Sequence, residues 1–174
     1  ESEIEMLRSV RELFPAEKLE IRVDANGAFT PENAQEKLEQ LAYFDIHSIE
    51  QPIQPGQTAE MQKLCAATPL PIALDEELIG ITNLSEKIKL LDQIQPQYII
   101  LKPTLLGGIK ASEEWISLAK ERNIGWWVTS ALESNIGLNA IAQWNATLGK
   151  PHFQGLGTAV PYTHRKLPDR GQGE

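Results

Sequence analysis

The chain has 174 residues, and its 24 acidic against 16 basic side chains leave a formal charge of −8, which argues against nucleic acid or an anionic membrane surface as a partner. Apolar residues at 41 % and charged residues at 23 % make the composition of a folded domain, and no apolar run approaches the roughly 18 residues of a membrane span. Cys65 is the only cysteine, which excludes an intrachain disulfide and cysteine-clustered zinc and makes a reducing cytoplasm the simplest compartment.

Glu1 opens the sequence with neither an initiator methionine nor a leader, so a piece of a longer protein is expected. The first element reads as a helix: Ser2 and Glu5 have capping-box spacing, and Ile4, Leu7, Val10 and Phe14 share a face. Short apolar runs then alternate with longer amphipathic ones, predicting strands at Leu19 to Val23, Ile46 to Ile49, Pro71 to Leu74, Tyr98 to Leu101, Trp126 to Thr129 and Phe153 to Leu156. Thr30 before Pro31 marks a helix start, and Gly149 marks the stop of a last helix. That helix carries Ile136, Ala140, Ile141, Trp144 and Leu148 on one face. Both helix faces are expected to cover a sheet.

A (β/α)8 barrel averages about 250 residues, or about 31 per unit, so a chain of this size holds five to six units. Six strands preceded by a helix predict an α/β fold of the TIM-barrel type, incomplete here, with residues 1–174 forming one partial barrel domain whose first strands lie outside the sequence. An open doubly wound sheet is the alternative.

The informative pattern stands at the carboxyl ends of the strands. LEIRV leads to Asp24, IHSI to Glu50, PIAL to Asp75 and YIIL to Lys102, at intervals of 26, 25 and 27 residues. That interval is about one βα unit, so the four side chains are expected to converge on one mouth of the barrel. Unit charges about 4 Å apart interact by about 4 kcal/mol at an effective dielectric near 20, so three converging carboxylates call for a cation. Hard oxygens with no cysteine or histidine among them favour Mg2+ over Zn2+, and the Asn26 amide is placed to hold a ligand water or carboxylate. Lys102 is then either a base, with its pKa depressed near the metal, or an ammonium that stabilises negative charge. A cation bound to a substrate carboxylate acidifies the neighbouring C–H, which points to proton abstraction α to a carboxylate.

The strings VDANGAF, IEQP, LDEE, LKPTLLGG and TSALESNIGLNAIAQ, in this order, resemble the barrel domain of the enolase superfamily in its muconate lactonizing subgroup. The resemblance implies that Asp24, Glu50 and Asp75 are Mg2+ ligands at the third, fourth and fifth strands and that Lys102 is the sixth-strand lysine. It also implies a second, acid-base lysine in a Lys-x-Lys motif on the second strand and an amino-terminal capping domain, neither of which lies in this sequence. These 174 residues alone are therefore expected to be inactive. Ser130, Glu133 and Ser134 from the seventh strand, with Gly155, Leu156 and Gly157 from the eighth, would meet the far end of a small-molecule carboxylate. The eighth-strand stretch FQGLGTAV lacks the Asp-x-Asp that holds a substrate ammonium in related epimerases. The implied activity is that of a carbon–oxygen lyase that dehydrates a cyclohexadiene carboxylate. A racemase of N-acylamino acids and a non-catalytic metal-binding barrel fragment are the rival readings.

Other features read as structure. His47, His152 and His164 have no triad or metal spacing. Trp126 and Trp127 alternate, so one should face the barrel and the other the helices. Glu76 and Glu77 either support Asp75 or cap the next helix, Gly107-Gly108 suits a tight turn, and PDRGQGE is a surface tail.

Overall fold

In the computed structural model, residues 3–149 and 154–157 are described. Five short strands form a parallel sheet: β1 (Arg22–Asp24), β2 (Ser48–Glu50), β3 (Ile72–Leu74), β4 (Tyr98–Leu101) and β5 (Gly125–Val128). Their order in space is their order in the chain. A doubly wound sheet would reverse that order at a switch point; this sheet does not, and its consecutive parallel order is that of a (β/α) barrel. Helices α1 (Glu3–Leu13), α2 (Pro31–Ala42), α3 (Thr58–Ala67), α4 (Leu84–Ile94), the short α5 (Pro103–Leu106), α6 (Ile109–Glu121) and α7 (Asn135–Thr147) make up the rest, with a 3₁₀ turn at Glu76–Leu78.

The register places the strand ends. Asp24 lies level with Glu50, and Glu50 with Ala73, so Asp75 stands two residues beyond the partner of Glu50. Leu74 is level with Ile99, which carries Lys102 further still. This stagger is the tilt that closes a barrel.

The main core lies between sheet and helices, with Leu38, Ile49, Met61, Ile72, Leu91 and Ile99 among its buried members. A smaller cluster of Ala73, Ile100 and Trp127, with Tyr98 against it, lines the inner face. Trp126 belongs to the outer core and Trp127 to the inner one, as strand alternation requires. The Arg22 guanidinium stacks 4.3 Å from the Trp127 ring centre, and the His47 ring packs on Tyr98 at 4.8 Å, a structural place for that histidine. Gly125 lies opposite Tyr98, and a β-carbon there would collide with the Tyr98 ring.

Capping follows the sequence in part. The Thr30 N–H donates to Asn33 Oδ1 at 2.9 Å at the start of α2, Gly149 adopts φ +63° after α7, and Gly107 and Gly108 take φ +95° and +98° in the turn between α5 and α6. Ser2, His152, His164, Phe153 and the PDRGQGE tail lie outside the described residues.

Two expectations are corrected in part. In the opening helix Leu7 packs against the main core as expected, but no residue is fully buried and Phe14 is 49 % exposed. Arg11 ties that helix down as well, donating to Leu19 O (2.7 Å), Phe44 O (2.6 Å) and Asp45 O (2.9 Å); the Leu19 carbonyl is thereby engaged, and ladder pairing begins only at Arg22. Ile136 stands on the solvent side of α7, 84 % exposed, while Ile141 and Trp144 are buried. Of the expected sixth strand, the described residues show one parallel bridge from Thr129 to Gly155, and Gln154 Oε1 accepts from the Val128 N–H at 2.7 Å. No helix among the described residues is long and apolar enough to cross a membrane.

Candidate active site

Asp24 and Glu50 end β1 and β2, and Asp75 and Lys102 are the first residues past β3 and β4. Each follows an apolar run whose alternation is set by the core, so the polar residue falls at the sheet's carboxyl edge, where the helices no longer cover it. Lys102 is the residue before Pro103, which opens α5. Proline at the first helical position fixes the backbone there, and the lysine is delivered from a rigid corner.

The structure brings three of the four together. Lys102 Nζ donates to Glu50 Oε1 at 3.3 Å and forms an ion pair with Asp75 Oδ2. The Asp75 side chain is only 2 % exposed, against 18 % for Glu50 and 19 % for Lys102. Asp24 lies beside Glu50 in register but is exposed at the rim, where its Oδ1 accepts from the Asn26 backbone N–H at 2.8 Å. Asn26 thus holds a carboxylate through its main chain rather than through its side-chain amide. Among the described residues, no three His, Cys, Asp or Glu groups converge tightly enough to hold a metal ion as they stand.

Charge crowding is nonetheless evident. Burial, then the charge of Asp24, pushes the Glu50 carboxyl up to about 8; Asp75 adds to the rise through charge and a hydrogen bond, while Lys102 opposes it. Glu76 is also raised, chiefly by burial and with the charges of Asp75 and Asp24 contributing, and its Oε2 is buried without a hydrogen-bond partner. A set of hard oxygens carrying more negative charge than one ammonium neutralises fits a hard divalent cation. Burial would lower the Lys102 pKa, but hydrogen bonds and charge from Asp75 and Glu50 raise it above the ordinary lysine value, so the ammonium is favoured while both carboxylates face it.

Beside Lys102 opens a cleft of about 820 Å³, lined by Thr104, Ser130, Glu133, Gly155 and Gly157 among others. Ser130 Oγ donates to Gly157 O at 2.9 Å, joining the two loops of its far wall. Thr104 Oγ1 donates to Glu133 Oε1 at 2.6 Å across 29 residues, a link that no sequence spacing announces. Glu133 also leans over the start of α7, where a β-carbon on Gly137 would approach its Oε2 to 3.0 Å; a carboxylate at a helix amino terminus is favourably placed. Ser134, expected at the substrate's far end, is the α7 cap, its side chain accepting from Gly137 N. Leu156, expected there too, packs against the main core.

Residues 1–172 match the enolase C-terminal domain-like family. The chain belongs to that family. This enolase-family chain is 56 % identical, over 94 % of its length, to an o-succinylbenzoate synthase of Desulfotalea psychrophila, of which it covers 44 %. The crystal structure of MenC from Desulfotalea psychrophila LSv54 superposes with a TM-score of 0.90 at 56 % identity, covering 97 % of this chain and 47 % of that one. An L-Ala-D/L-amino acid epimerase of a Maribacter species is 31 % identical over 77 % of the chain, which covers 38 % of it. The chain therefore spans less than half the length of these relatives.

Proposed function

We propose that this chain, as a partial barrel domain, carries the cation and lysine side of a Mg2+-dependent o-succinylbenzoate synthase acting in the cytoplasm in menaquinone biosynthesis. The reaction is loss of water from 2-succinyl-6-hydroxy-2,4-cyclohexadiene-1-carboxylate to give 2-succinylbenzoate. The observation that carries the reading is the pairing of the Lys102 ammonium with Glu50 and Asp75 at the edge of the cleft, in a chain 56 % identical to a synthase of that name.

Asp24, Glu50 and Asp75 would hold Mg2+, which when bound supplies positive charge to the substrate carboxylate and so acidifies the adjacent C–H. Lys102, as an ammonium, stabilises the negative charge that develops on that carboxylate as the proton leaves. The base returns the proton to the departing hydroxyl group, so that water leaves and the ring becomes aromatic. The abstracting base is the family's second-strand lysine, which these 174 residues do not include. Ser130, Gly155 and Gly157, with Glu133 engaged by the Thr104 hydroxyl, line the wall that receives the succinyl tail, and FQGLGTAV carries no Asp-x-Asp to hold a substrate ammonium.

Assaying the full-length protein with the cyclohexadiene carboxylate and with N-acylamino acids tests this. Dehydration dependent on Mg2+ is expected, and Lys102→Ala should lower turnover by about a hundredfold or more while leaving Mg2+ binding measurable. Racemisation without dehydration, or equal loss of metal binding and turnover in Lys102→Ala, would overturn it.

A further inference from the structure

We propose that Gln51 is a positioning residue that caps the turn after β3 from the neighbouring strand and so frees the Asp75 carboxylate to face Lys102. The inference rests on reading Asp75 and Glu50 as ligands of the cation.

Asp75 occupies the cap position of the 3₁₀ turn Glu76–Leu78, yet its side chain makes no capping hydrogen bond. An aspartate at such a position ordinarily bends back to accept from the exposed N–H groups of the turn. Asp24 shows the habit on its own loop, accepting from Asn26 N. At β3 the task falls to Gln51, whose Oε1 accepts from Asp75 N at 3.2 Å and from Glu77 N at 3.4 Å.

The rest of the carboxamide is equally committed. Gln51 Nε2 donates to Ile53 O at 3.0 Å and to Glu77 Oε2 at 3.3 Å, so the amide makes the four hydrogen bonds it is able to make. Glu77, itself buried, accepts from Gly56 N on both oxygens, at 3.1 and 3.2 Å. A carboxylate facing the amide nitrogen fixes which end of the amide points at the turn. Gln51 is wholly buried and takes φ +37°, a left-handed conformation uncommon for a residue with a β-carbon. Its backbone binds both neighbours: Gln51 N donates to Ala73 O at 3.0 Å, and Gln51 O accepts from Gly27 N at 2.7 Å. One residue thus joins the segments that present Asp24, Glu50 and Asp75.

Removing the acceptor oxygen leaves the turn uncapped, and the nearest replacement is the Asp75 carboxylate. The test measures Mg2+ affinity by calorimetry and melting temperature in the full-length protein for Gln51→Leu, for the exchange variant Gln51→Glu/Glu77→Gln, and for Asp75→Asn. Gln51→Leu should weaken Mg2+ binding about 10- to 100-fold, the range seen when a ligand's supporting partner is lost. The exchange variant keeps an oxygen toward the turn and an amide–carboxylate contact, and should recover most of that affinity. If Gln51→Leu binds Mg2+ as the wild type does while Asp75→Asn does not, the cation reading stands and the role of Gln51 is overturned. If no variant changes affinity, the cation reading fails and the inference with it. Should Gln51→Leu not fold, the exchange variant decides: weak Mg2+ binding by the folded protein overturns the role.

Discussion

Glu50 carries a carboxyl raised from 4.5 to about 8, by burial first and the charge of Asp24 second. Its folded-state pKa lies above its unfolded one, so below pH 4.5 both states hold the proton and the full stability is present. As pH climbs toward about 8, the unfolded chain releases a proton that the folded chain retains, and stability falls. Lys102 is also raised, but its contribution is lost only above the ordinary lysine range. The metal-free protein should therefore melt at progressively lower temperature between pH 5 and 8, and Glu50→Gln should flatten that slope. A melting temperature independent of pH in the wild type would contradict the charge crowding described. The four strand-end residues were legible because each is the one ionisable group closing an apolar run. Gln51 was not, since a glutamine beside an acid carries no periodic signal and its partners Asp75 and Glu77 lie 24 and 26 residues away. Thr104 was hidden for the same reason.

For the elements, patterning located the five strands to within a few residues but overstated what their neighbours cover. A 3.6-residue period reports that a helix has an apolar face; it does not report how much of that face finds a partner. Hence α1 contributes only the partly buried Leu7 to the core and is tied down by the Arg11 guanidinium, and Ile136 faces solvent. Packing across the sheet is demanding where Gly125 meets Tyr98. Gly125→Ala pushes a methyl group into that ring and should cost about 1–3 kcal/mol, the usual range for overpacking. Urea unfolding measures this, and an unchanged midpoint would show that β4 and β5 can part without strain.

At the scale of the whole molecule, a ligand that binds only the folded state stabilises it by mass action. At a Mg2+ concentration about 100 times its dissociation constant, the gain is about 2.7 kcal/mol. The melting temperature rises with that gain, by fewer degrees per kcal/mol the larger the protein. Calorimetric scans of the full-length protein should show such a rise on adding Mg2+, and Asp75→Asn should abolish it; an equal rise in that variant would place the cation elsewhere.

The consecutive strand order also divides labour along the polypeptide. Asp24, Glu50, Asp75 and Lys102 all come from the first 102 residues, whereas the rest of the cleft lining begins at Thr104 and runs to Gly157. On the proposed function, the stretch that holds the cation thus precedes the stretch that lines the cleft. Grafting residues from Thr104 onward out of another family member should then change which carboxylate the cleft accepts while leaving Asp24, Glu50, Asp75 and Lys102 in place.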